Sequence, residues 1–107
     1  MSDFDDRKRA QEKKFELDQE LEFKAQARRA KLVGLWAAGL IGLQGEEAAA
    51  YAKSVVVADL EEAGEEDVFR KLRADLDMHA VQLSDHQIRA KMEEALTEAR
   101  EQIKAGN

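Results

Sequence analysis

Apolar side chains recur at helical spacing along most of this chain, and the interruptions between those runs divide it into elements. From Leu17 the steps are three or four residues, through Leu21, Ala25, Arg28, Leu32 and Trp36, with Phe23, Ala27 and Ala30 widening the apolar side. This stripe runs into fourteen consecutive uncharged residues, Leu32 to Gly45, which hold the only tryptophan and four of the six glycines. A membrane helix needs roughly 18 or more consecutive apolar residues, and Lys31 and Glu46 close the run before that length. The run is therefore predicted to be a buried seam, the end of a long first helix and the turn after it, with Gly42 and Gly45 as the stop.

A second helix is predicted from about Glu46 to Ala63. Glu46 and Glu47 suit its positive dipole end, Gly64 ends it, and Ala48, Tyr51, Ala52, Val55, Val56 and Ala58 or Asp59 form its apolar face. A third opens with Glu65, Glu66 and Asp67 and carries Val68, Phe69, Leu72 and Leu76 on one side. The pattern lapses from Asp77 to Leu83. Ser84-Asp85-His86-Gln87 then reads as a capping box, and the last helix follows with Ile88, Met92, Ala95, Leu96, Ala99 and Ile103 as its stripe. Proline is absent, and the β-branched run Val55 to Val57 lies inside an alanine-rich helical stretch, so no strand is expected. Four helices with one apolar side each and short connections predict an all-α fold, a small antiparallel four-helix bundle.

The beginning of the chain is different. Met1 to Val33 contains neither glycine nor proline, yet Asp3 to Lys14 offers only Phe4 and Ala10, with Phe15 just beyond, as apolar anchors among mixed charges. That stripe is too thin to hold against a core, and an isolated helix of ~12 to 15 residues is marginal in water. Residues 1–16 are therefore expected to be a mobile arm and residues 17–107 the bundle domain. The residues alone fit a frayed, solvated terminus better than an arm that orders against a partner through Phe4 and Phe15.

Charge and composition narrow the function. The net charge of −6 in 107 residues argues against nucleic-acid binding, which depends on lysine and arginine neutralising phosphates. The first 31 residues carry nine basic and eight acidic side chains, the rest eight and fifteen, so the two parts have different roles. Arg28, Arg29 and Lys31 form a basic cluster that fits an acidic partner or a phosphate, although such a cluster is more often solvated or paired with neighbours such as Glu20 and Glu22. The same balance of signs weakens a membrane-surface reading of residues 15–43. Without cysteine, and with an acidic start in place of an export signal, the protein is expected in the cytosol.

Catalytic and cofactor motifs fail on inspection. Gly34 and Gly39 have the spacing of a phosphate loop, but Leu40-Ile41 stands where lysine and serine or threonine are required. His79 and His86 are not at the i, i+4 spacing of two ligands on one helical face, and Ser2, Ser54, Ser84 and Thr97 have no neighbouring base. No enzyme, metal or cofactor is expected, and no phosphate-binding motif supports adenine nucleotide binding by the bundle.

Three stretches together carry a resemblance: Phe4-Asp5-Asp6-Arg7-Lys8-Arg9-Ala10-Gln11-Glu12-Lys13-Lys14-Phe15, then Ala27-Arg28-Arg29-Ala30-Lys31-Leu32-Val33-Gly34-Leu35-Trp36-Ala37-Ala38, and Ser84-Asp85-His86-Gln87-Ile88-Arg89-Ala90-Lys91-Met92. The chain resembles the zeta subunit of alphaproteobacterial F-type ATP synthase, a small inhibitor of ATP hydrolysis, over nearly its whole length. The resemblance implies an N-terminal inhibitory arm that enters a catalytic α/β interface of the synthase head, touches the rotor subunit γ and blocks rotation. It reverses the preference for a merely frayed terminus. Phe4 and Phe15 become the apolar anchors of the arm, and Asp5, Asp6, Arg7, Arg9, Glu12 and Lys14 the charges that pair with the cleft. It further implies a cytoplasmic protein, peripheral to the inner membrane through the synthase, not inserted in the bilayer and monomeric when free. The alternative from another class is a helical adaptor that binds a partner through its bundle surface.

Overall fold

The computed structural model describes the backbone of residues 2–61 and 65–106, and the side chains of residues 18–61 and 65–106. Four helices occupy nearly all of it: α1 (Ser2–Leu40), α2 (Gly45–Glu61), α3 (Glu66–Met78) and α4 (Asp85–Lys104). No strand occurs among the described residues.

The turns form where the chain's local chemistry stops a helix. After α1, the Leu43 amide donates to the Ala38 carbonyl at 2.8 Å while Gly42 takes φ +88°, a left-handed stop that a residue without Cβ adopts freely. The same closure ends α3, where Val81 N–H donates to Leu76 at 2.9 Å, but the left-handed position there is Ala80, at φ 58°. At the start of α4 the capping box is complete: Gln87 N–H donates to Ser84 Oγ at 3.1 Å and Ser84 N–H to Gln87 Oε1 at 2.9 Å.

Neighbouring helices run in opposite directions. Gly34 of α1 lies against Ala52 of α2 and Arg29 of α1 beside Asp59 of α2. Tyr51 reaches Asp75 across α2 and α3, Glu66 and Arg73 meet Arg89 and Asp85 across α3 and α4, and Glu22 and Trp36 meet Arg100 and Lys91 across α1 and α4. The shared core comprises Val33 and Ala37 from α1, Val55 from α2, Val68, Phe69, Leu72 and Leu76 from α3, and Ile88, Met92 and Ala95 from α4. The α3 face is the one its sequence pattern predicts. On α4, Leu96 and Ile103 end up half-buried, while Ile88, Met92, Ala95 and Ala99 are buried.

The face that α1 buries departs from the stripe read from its sequence. Ala25, Arg29, Val33 and Ala37 form the inward line, with Ala30 and Ala38 beside it, whereas Leu21 is 40% and Phe23 62% exposed. Arg28, Leu32 and Trp36 lie half-buried at the edges. Small residues win this face because α2 comes so near: a Cβ on Gly34 would sit 2.7 Å from the Ala52 Cα. Leucines cannot occupy a seam where two backbones approach that closely, so they are turned outward.

Two glycine substitutions separate the roles of the seam. Gly34→Ala should destabilise the protein by about 1–3 kcal/mol, because the added methyl meets a backbone atom that cannot give way. Gly39→Ala, at a helical position with nothing within 4 Å, should stabilise it by about 0.5–1 kcal/mol. Chemical denaturation followed by circular dichroism measures both, and equal effects would refute the close-approach account.

Candidate functional site

Helical register divides α1 into an inward and an outward face. Eleven residues make about three turns and eighteen make five. Counting back along α1 from Val33 on the core line, Phe15 stands eighteen positions earlier and Phe4 eleven before that, so both share the register of the inward line. The side chains of Phe4, Asp5, Asp6, Arg7, Arg9, Glu12, Lys14 and Phe15 lie outside the described residues, as do those that would mark the boundary between a mobile arm and the bundle at residues 16 and 17. What the structure gives for that stretch is a helical backbone continuous with the bundle from Ser2 onward.

The anchor of this long helix in the bundle is partly electrostatic. Arg29 is only 4% exposed, and its guanidinium lies 3.7 Å from Asp59 of α2 and 3.7 Å from Glu65 before α3, with Nε left without a hydrogen-bond partner. Burial pushes the Asp59 carboxyl above its usual range, and the nearby Arg29 charge only partly opposes this. The expectation that the basic cluster is solvated or paired with Glu20 and Glu22 needs correction at Arg29, whereas Lys31 is exposed as expected. Glu20 pairs with Lys24, Glu22 pairs with Arg100, and Arg29 is directed into the protein. The signal in the sequence was Asp59 itself, an acid within the apolar face of α2 that only a facing cation makes tolerable.

Glu22 accepts from Arg100 Nε at 3.1 Å, and that hydrogen bond holds its carboxyl below the usual range, clamping the point where α1 leaves the bundle to the far end of α4. On the opposite side of α1, Leu21, Phe23, Lys24, Ala27, Arg28 and Lys31 floor an open groove of about 620 Å³, walled by Val56 of α2 and Ile103 of α4.

The acids near the histidines are taken up by other partners. Tyr51 Oη donates to Asp75 at 2.7 Å, and Arg73 bonds both Asp77 and Asp85. The His79 ring nitrogen Nδ1 sits 2.9 Å from the Asp75 carbonyl. Among the described residues no group of three or more acids and histidines is placed to hold a metal ion, and no helix is long and apolar enough to cross a membrane.

Known proteins place this architecture. A family model described as ATPase inhibitor subunit zeta matches residues 1–102. A protein with a solution NMR structure is 47% identical, covers 81% of this chain and 99% of its own, and superposes with a TM-score of 0.70. No curated protein sequence matches the chain.

The Arg29–Asp59 pair yields a test of what anchors α1. Arg29→Met alone should cost about 3 kcal/mol or more, because it leaves the buried Asp59 carboxylate uncompensated, and Asp59→Leu should cost less, because Glu65 still lies 3.7 Å from the Arg29 guanidinium. The double variant should match or exceed the parent, since apolar packing replaces two desolvated charges. Because the Asp59 value is raised in the fold, its contribution is fully present below the ordinary carboxylate range and is lost as pH rises through the raised value. The double variant should thus gain most at neutral pH, as read from unfolding curves at pH 4 and pH 7.

Proposed function

The chain belongs to the ATPase inhibitor subunit zeta family, and we propose that it inhibits ATP hydrolysis by the F-type ATP synthase with the leading segment of α1. Residues 1–16 act as the arm: they enter a catalytic α/β interface of the head, reach γ and oppose rotation in the hydrolytic direction. The protein then works in the cytoplasm, held at the inner membrane through the synthase.

The observation that supports this reading most is the unbroken α1 and its register. From Ala25 onward the inward line of the helix is covered by its own bundle. Phe4 and Phe15 continue that line by position, so a groove in the head supplies for the arm the cover that the bundle supplies for the rest of the helix. Ordering the arm on its target gives up ~2–5 kcal/mol of the gross interaction energy. Phe4 and Phe15 supply the apolar surplus, and Asp5, Asp6, Arg7, Arg9, Glu12 and Lys14 pair with cleft charges that fix register and orientation. Arg29–Asp59 and Glu22–Arg100 then hold the helix to the bundle, which remains outside the cleft as the body behind the wedge.

The test is a hydrolysis assay on the purified synthase head. Deleting residues 2–15 should abolish inhibition and leave cooperative unfolding of the bundle intact. Phe4→Ala or Phe15→Ala should each raise the half-inhibiting concentration about 30-fold, the equivalent of about 2 kcal/mol for a buried aromatic anchor, without moving the thermal midpoint. Full inhibition by the truncated chain would remove the arm as effector. A lowered midpoint in the phenylalanine variants would place those rings in the core.

A further inference from the structure

The outer side of α1 carries a second surface, opposite the inward line and separate from the arm. Lys24, Arg28 and Lys31 step along it at helical spacing in a protein whose net charge is −6. Their internal partners are weak. Lys24 reaches Glu20 at 3.7 Å with both side chains more than half exposed, Arg28 reaches the neutral Gln102 at 3.4 Å, and Lys31 makes no ion pair among the described residues. An exposed pair of that kind contributes little. Beside these cations lie Leu21, the 62% exposed ring of Phe23, and the groove walls Val56 and Ile103.

We infer that this groove docks an acidic amphipathic helix of a partner protein, its apolar ridge against Phe23, Val56 and Ile103 and its flanking carboxylates against Lys24, Arg28 and Lys31. A trough floored by one helix and walled by two others has the form that receives the i, i+3, i+4, i+7 ridge of a fourth. Its open side argues against a small molecule, which is normally enclosed over most of its surface. A two-fold contact with a second copy would set the same cations against each other. The chain's own leading segment, with five basic and five acidic residues in 1–16, does not offer the one-sided negative charge that these cations call for. Helix, apolar ridge and negative charge are what remains. The groove is thus a bundle-borne contact that adds to the arm and does not depend on it.

The experiment titrates the isotope-labelled full-length chain with a designed helical peptide of about 18 residues, leucine-ridged and flanked by glutamates, and with its lysine-flanked counterpart. The glutamate peptide should shift the amides of Ala27, Lys31, Val56 and Ile103 and should bind more weakly as salt is raised. Phe23→Ala and the pair Lys24→Glu, Lys31→Glu should each weaken it about tenfold, with unchanged thermal midpoints because all three side chains are exposed. Equal binding of the lysine peptide, shifts confined to another face, absence of binding, or shifts that vary with protein concentration alone, which would mark a second copy as the occupant, each overturn the inference. Because no hydrolysis is measured, failure of the arm as an inhibitor would leave this result standing, and the converse also holds.

Discussion

The closeness of α1 to α2 around Gly34 is the constraint from which the rest of the architecture follows. With no space for a methyl group between Gly34 and the Ala52 backbone, the apolar residues on the inward face of α1 are alanine, glycine and valine, and among the described residues Arg29 is the one large side chain buried there. The larger apolar side chains of the same helix, Leu21, Phe23, Leu35 and Leu40, are turned outward. The big core residues come instead from α3 and α4, where Leu72, Leu76, Ile88 and Met92 are buried completely or nearly so. A long helix with a slender inward face and two flanking neighbours is the consequence. One side of α1 is sealed and the other remains available.

Charges then fix the position of α1 in that frame. Arg29 is held by Asp59 and Glu65 from the other side of the core, at distances too long for good hydrogen bonds. Replacing such a pair with apolar residues often gains stability, so its presence is better explained by register than by strength. A register of α1 that took Arg29 away from both Asp59 and Glu65 would leave its charge buried and unpaired. Glu22–Arg100 acts at the opposite edge, where α1 passes beyond α4. In this arrangement the angular setting of the leading segment is inherited from the bundle.

The sequence makes the distal helices legible and the proximal one only partly so. In α3 and α4 a single apolar stripe lies on an otherwise charged helix, and Ser84 and Gln87 mark the start of α4 through purely local hydrogen bonds. These signals need no knowledge of partners. α1 has apolar residues on both sides, and periodicity cannot say which side meets α2; only the close approach at Gly34 decides it. The buried Arg29–Asp59 pair was hidden for a related reason, since two residues thirty positions apart become neighbours only once the hairpin closes. Family membership is carried by the motifs in residues 4–15, 27–38 and 84–92, whereas the roles we propose for Phe4 and Phe15 lie in a contact with another molecule.

Continuity of α1 also bears on the inhibitory arm proposed for its leading segment, which is sparse in apolar residues. Starting a helix from nothing is the costly step, with a nucleation factor on the order of 10⁻³, while each added residue is close to neutral or mildly favourable for good helix formers. Residues 25–40 of α1 are held in place by tertiary packing, so the nucleus is provided by the bundle. Extending it through a glycine-free, proline-free stretch then requires the ordering of the arm but no fresh nucleus. The same sequence detached from the bundle would have to meet the nucleation penalty from its binding energy. On the proposed reading, an arm that is too sparse to fold alone can act on its target, provided that it grows from a helix whose register and direction are already set by Gly34, Arg29 and Glu22.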